Sequence, residues 1–139
     1  LQRIVEALGR DLSWFFGSNP DGWIVQRASE RRVVPGDPVH DGTGISYERM
    51  VSFAQGNILE ANIHIVSPGG GREDRVTHPG ETLGYVLEGQ IELTIEDTAY
   101  LLSTGDSFSF RNRLTSRYHN PGSATARMLW INTPNDRER

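Results

Sequence analysis

Few side chains in this 139-residue chain are equipped for chemistry. There is no cysteine, which removes thiolate nucleophiles, cysteine-bound metal and disulfides together. The histidines number four: His40, His64, His78 and His119. His40 sits in a loop of Pro, Gly and Asp residues and reads as solvent-exposed. His64 and Asn62 alternate with Ile63 and Ile65, so they share one face of a strand. That face is either exposed or the polar lining of an interior, and the pattern allows both. Arg111, Arg113 and Arg117 form a basic run that reads either as a solvated rim or as an attractor for an anionic effector.

The elements that position these residues follow from periodicity and punctuation. Leu1, Ile4, Val5 and Leu8 fall on one helix face, and Gly9 stands where a helix C′ glycine would end it. Asp11 or Ser13 could cap a second short turn carrying Leu12, Phe15 and Phe16. The breaker cluster at 17–22 closes this helical hairpin. Trp14, Phe15 and Phe16 are expected to pack the hairpin onto the following domain or a partner subunit. Beyond the cluster the period becomes two. Candidate strands cover 23–27, 31–34, 46–53, 58–66, 83–88, 91–96, 98–102, 107–110, 116–119 and 126–132, with a turn expected at Pro68-Gly69 among others. Short, closely spaced strands with no long helix between them imply an all-β antiparallel sandwich or barrel.

Composition agrees. Hydrophobic residues at 36% and charged residues at 23% suit a soluble globular domain, and 15 glycines with 7 prolines suit a turn-rich β architecture. A formal charge of −4 argues against broad nucleic-acid or membrane binding by this segment. The chain opens on Leu1 rather than Met and is expected to be a piece of something longer.

Two stretches, GGREDRVTHPGETLGYVLEG at 70–89 and GDSFSFRNRLTSRYHNPG at 105–122, resemble the paired motifs of the cupins. The resemblance implies a double-stranded β-helix, or jelly-roll barrel, preceded here by the short helical hairpin. The glycine and asparagine landmarks Gly70, Gly89, Gly105 and Asn120 fall in register with both motifs. The four positions that hold metal in a typical cupin are occupied by Val76, His78, Thr82 and Ser116, so only His78 keeps a ligand. A transition metal needs several donors converging at about 2.0–2.2 Å, and valine and neutral hydroxyls do not supply them. Neither Glu81 nor His119 has the strand parity to compensate, and His64 could add one imidazole at most. No metal, no cofactor and no catalytic residue are therefore expected. His78 reads as a hydrogen-bonded pocket residue, because no inward carboxylate is evident to orient it as a base.

The metal positions of cupins face inward, and parity extends that lining. His78, Thr82, Val86, Phe108, Phe110, Ser116 and Tyr118 are the candidate effector pocket, with Gly84 on the same face and Ser107 and Ser109 outside. Trp130 reads as core with access to the pocket. The alternative is a barrel filled by these side chains.

The opening LQRIVEALGRDLSWFFG resembles the end of the helix-turn-helix domain of XRE-family transcriptional regulators, through Ile4, Ala7, Leu8, Gly9, Leu12, Ser13 and Phe16. Followed by a cupin, it is similar to regulators with an N-terminal helix-turn-helix and a C-terminal cupin sensor. Residues 1–17 would then be the domain remnant, 18–57 a linker with the first strands, 58–134 the cupin core and 135–139 a polar tail. The resemblance implies a cytoplasmic homodimer that binds a small-molecule effector. DNA would be met only through a helix-turn-helix upstream of Leu1, and no membrane is involved. A cupin enzyme, or a dimerisation module with a vestigial pocket, is the alternative.

Overall fold

The computed structural model describes residues 24–51, 58–74 and 80–133. The expected hairpin over 1–17, the tail over 135–139, and Val76 and His78 lie outside the described residues. The chain divides into two units, Leu1–Arg31 and Arg32–Arg139. Of the first, residues 24–31 are described. The strand expected over 23–27 is not formed in its described part, because residues 25–27 join no strand and run into a single 3-10 turn at Ala28–Glu30. Glu30 Oε1 accepts the Arg27 N–H at 2.9 Å and draws the backbone into that turn instead.

The second unit is all-β, a nearly closed jelly-roll barrel. Its strands are β1 (Val33–Pro35), β2 (Thr43–Val51), β3 (Glu60–Asp74), β4 (Glu81–Glu88), β5 (Gln90–Ile95), β6 (Thr98–Ser103), β7 (Ser107–Arg111), β8 (Ser116–His119) and β9 (Ala126–Asn132). All pairings are antiparallel, in the order β6-β5-β8-β3-β9-β4-β7, with β2 also on β3 and β1 on β2.

Strand β3 joins the two walls. Its first half pairs with β9 through Glu60–Val66, and its second half pairs with β8 through Gly71–Asp74. The turn expected at Pro68-Gly69 is therefore a bend inside one long strand. Gly69 takes a φ of +82° and kinks the chain, yet its N–H donates to Asn120 O at 2.9 Å, so pairing resumes rather than reverses. The motif asparagine secures the same corner. Asn120 is buried, its Nδ2 donates to Val66 O at 2.9 Å and Ala124 O at 2.8 Å, and its Oδ1 accepts the Gly122 N–H.

Register decides which side chains face the interior. Cross-strand partners share a face, so Ile45, Tyr47, Asn62, His64, Val66, Thr82, Gly84, Val86, Met128 and Trp130 line one side of the first wall. Ile91, Leu93, Ser116 and Tyr118 line the second. One end is sealed: Val66, Val86, Ile91, Ala126 and Met128 have no exposure and Leu93 has 2%. Each of the larger apolar groups stabilises the fold by roughly 1.5–3 kcal/mol on burial. Toward the other end Phe108, Phe110 and Trp130 are only half-buried. Gly84 is required beneath them. A Cβ there would lie 2.0 Å from Phe108 Cζ, so the missing side chain makes room for the ring.

Candidate functional site

The inner wall carries two groups of polar side chains. The first is at the motif positions. Thr82 on β4 and Ser116 on β8 are 3% and 5% exposed. The Thr82 hydroxyl donates to Asn112 Oδ1 at 2.5 Å, and Asn112 is itself buried. These are neutral groups, and one already spends its proton on a neighbouring amide. They do not fit the donor set of a transition metal. Among the described residues no three His, Cys, Asp or Glu side chains gather into a group able to hold an ion.

The second group lies one strand step away, at Tyr118, about 7 Å along β8 from Ser116. His64 Nδ1 is 2.7 Å from the Tyr118 hydroxyl. The imidazole stacks on Trp130, with ring centroids 4.9 Å apart at 15°, and meets Tyr47 edge-on at 4.8 Å. Arg72 Nη1 donates to the Tyr47 hydroxyl at 3.2 Å. Burial holds the His64 pKa well below its ordinary value, and the Arg72 charge pushes the same way, so this imidazole is neutral at physiological pH. Burial likewise pushes Tyr47 up to about 12 and raises Tyr118 further, with Arg72 opposing in both cases. Both phenols keep their protons. The cluster is thus a set of uncharged hydrogen-bonding rings beside the Arg72 guanidinium and the Asp41 carboxylate, which hydrogen-bonds to Tyr47.

Aromatic contacts continue from Trp130 to the half-buried end. Phe108 and Phe110 stand edge-on to the indole, with centroids at 5.6 and 6.2 Å, and Tyr118 approaches at 5.5 Å. Asn62 is opposite Trp130 in register. Its Oδ1 is buried without a hydrogen-bond donor. Leaving such an acceptor unsatisfied costs about 1–3 kcal/mol.

The structure places the sequence-derived candidates as follows. Thr82, Val86, Ser116 and Tyr118 are buried on the inner face, and Phe108 and Phe110 are half-buried there, while Ser107 and Ser109 are exposed. Arg111, Arg113 and Arg117 are exposed. His40 is exposed and pairs with Asp37 at 2.8 Å, and His119 faces Glu92 at 3.5 Å outside the barrel. His64, whose face the sequence left open, is 2% exposed and central. Tyr47 and Arg72 were not singled out by sequence reasoning. The even spacing of Ile45 and Tyr47 could have flagged Tyr47, whereas Arg72 had no signal. A depression of about 390 Å³ lies along β3 and β8, lined by Arg72, Arg117, Tyr118 and His119 with Gly69 and Gly71.

Fold and register define a cupin, and comparison with known proteins agrees. Residues 62–132 match the Cupin_2 family of cupin domains, and the chain belongs to that family. Over 137 residues it is 29% identical to the HTH-type transcriptional regulator PuuR of Escherichia coli K12, covering 96% of this chain and 71% of that protein. The PuuR of Shigella flexneri matches equally. The resemblance to helix-turn-helix regulators with a cupin domain, read from the sequence, is therefore matched by relatives of that description. Among solved structures, the Cupin_2 domain of an XRE-family regulator from Enterobacter cloacae aligns with a TM-score of 0.60 at 14% identity, covering 66% of this chain and 97% of that one. A predicted oxalate decarboxylase from Thermotoga maritima aligns with a TM-score of 0.70 at 16% identity, covering 80% and 99%. At these identities the structures speak for the fold alone.

Proposed function

We propose that this barrel is the metal-free, non-enzymatic sensor domain of a DNA-binding transcriptional regulator. It takes a small-molecule effector through its half-buried end, and occupancy biases a helix-turn-helix domain that itself contacts DNA. Coupling of this kind requires the effector to bind one arrangement of that head better than another. A cytoplasmic homodimer suits the reading, since operators of such proteins are usually two-fold symmetric. The pocket is built from Thr82, Val86, Phe108, Phe110, Ser116 and Tyr118, with His78 contributed by the first motif and His64 and Trp130 added by the barrel.

The observation that carries the proposal is the chemistry of the inner wall. Its described polar groups are hydroxyls, the amides of Asn62 and Asn112, and a neutral imidazole hydrogen-bonded to a phenol, framed by rings with Arg72 at their edge. Such a surface recognises, and among the described residues no carboxylate pairs with its imidazole for proton transfer. The similarity to PuuR over 96% of the chain supports the regulatory context.

The test has two parts. Elemental analysis of the purified protein should find less than stoichiometric iron, nickel, manganese or zinc; one ion per chain would restore the metal-enzyme reading. A thermal-shift screen of metabolites should return a ligand, which at 100 times its dissociation constant adds about 2.7 kcal/mol of stability. A broad screen with no hit would favour a dimerisation module whose pocket is vestigial.

A further inference from the structure

Buried carbonyl oxygens nearly always accept a hydrogen bond, so one that does not calls for an explanation. Among the described residues, the buried side-chain polar atom in this condition is Oδ1 of Asn62. Its surroundings are specific. Asn62 lies on the inner face of β3, two residues before His64, with Trp130 opposite on β9 and Arg49 opposite on β2. Trp130 and Phe108 present half-buried rings at the same level of the barrel, at 5.6 Å and 62° to each other. The opposite end is sealed by Val66, Val86 and Met128, so a ligand reaches this level from the side of the half-buried rings.

Half-buried aromatic rings and one stranded acceptor together select a flat, unsaturated frame that carries an O–H or N–H. Arg72 is hydrogen-bonded within the ring cluster and Asp41 bears on the same rings, so charges of both signs lie nearby and the donor, not a net charge, defines the ligand. We propose that Asn62 is the specificity-determining residue of the sensor, and that its Oδ1 accepts a hydrogen bond from a flat effector lying against Trp130 and Phe108. This rests on the sensing function proposed above. Oδ1 is out of reach of solvent in the arrangement seen, so Asn62 or Trp130 must turn as the effector enters, and the indole on β9 reports that entry.

The full chain can be titrated with phenol and with anisole, which share a ring and an oxygen but differ in the donor. The Trp130 indole N–H signal in a proton–nitrogen NMR spectrum, assigned by its loss in Trp130→Phe, follows binding. Phenol is expected to bind about fivefold more tightly than anisole, as befits one net hydrogen bond. In Asn62→Leu that preference should vanish while anisole binds as before. Equal affinities in the native chain, or a preference that survives Asn62→Leu, overturn the inference but leave the pocket standing. A metabolite that raises the melting temperature without moving the Trp130 signal also overturns it and spares the sensing function. The native-chain comparison needs no variant, so poor folding of Asn62→Leu would not shelter the proposal.

Discussion

Two places on the inner wall, one strand step apart, have different chemistry on the same scaffold. At Thr82 and Ser116 the motif positions carry small hydroxyls, and the one on Thr82 is held by Asn112. At His64 and Tyr118 the wall carries an imidazole, a phenol and the rings packed on them. The first place has the spacing expected of a site but not the donors. The second has the concentrated polarity of a site but no motif to announce it. Motif spacing therefore locates the backbone of a cupin, through glycines and an asparagine that turn corners, and leaves the chemistry of the interior to other strands.

The largest effect expected from breaking this contrast comes from restoring the first place. Val76→His, Thr82→Glu and Ser116→His together with His78 would supply four donors, and zinc or nickel content after dialysis should rise from substoichiometric to about one ion per chain. A variant that stayed empty would show that these positions do not converge. At the second place, Tyr118→Phe strands His64 Nδ1 and should cost about 1–3 kcal/mol in urea unfolding. An unchanged midpoint would mean the imidazole has another partner.

Acidification sharpens the contrast from the same side. The folded-state pKa of His64 lies below the ordinary value of 6.5, so above that pH both states are neutral and stability is at its full value. As pH falls below 6.5 the unfolded chain takes up a proton that the buried imidazole refuses, and stability should decline by up to about 1.4 kcal/mol per pH unit. His40 has the opposite sign, because Asp37 raises it, but it is exposed. Urea titrations in a His40→Ala background isolate the slope, and His64→Phe should flatten it. The smallest effect belongs to Thr82→Ser, which keeps the hydroxyl and removes one buried methyl, for a loss of about 0.8 kcal/mol. A loss as large as that of Tyr118→Phe would erase the distinction between the two places.

Much of the barrel was legible in the residues. The alternation of Ile91, Leu93 and Phe108, Phe110 with polar neighbours names the inward face without reference to any partner strand, because side chains alternate at a period of two. Strand ends were less legible. Pro68-Gly69 reads as a reversal, but whether a kinked strand turns back or runs on depends on the strand waiting beside it, here β8 through Asn120.

By itself, the sequence determined a cysteine-free antiparallel β architecture, sandwich or barrel, and its resemblance to the cupins implied the barrel, the register of both motifs and non-ligand residues at three of the family's metal positions. Only the tertiary structure decided that His64 points inward, that Tyr118, Trp130 and Tyr47 surround it, and that Asn62 Oδ1 lacks a donor. The reason is distance along the chain. Parity is a local property of one strand, whereas His64 and Tyr118 are 54 residues apart and meet only when β3 bends from one wall to the other.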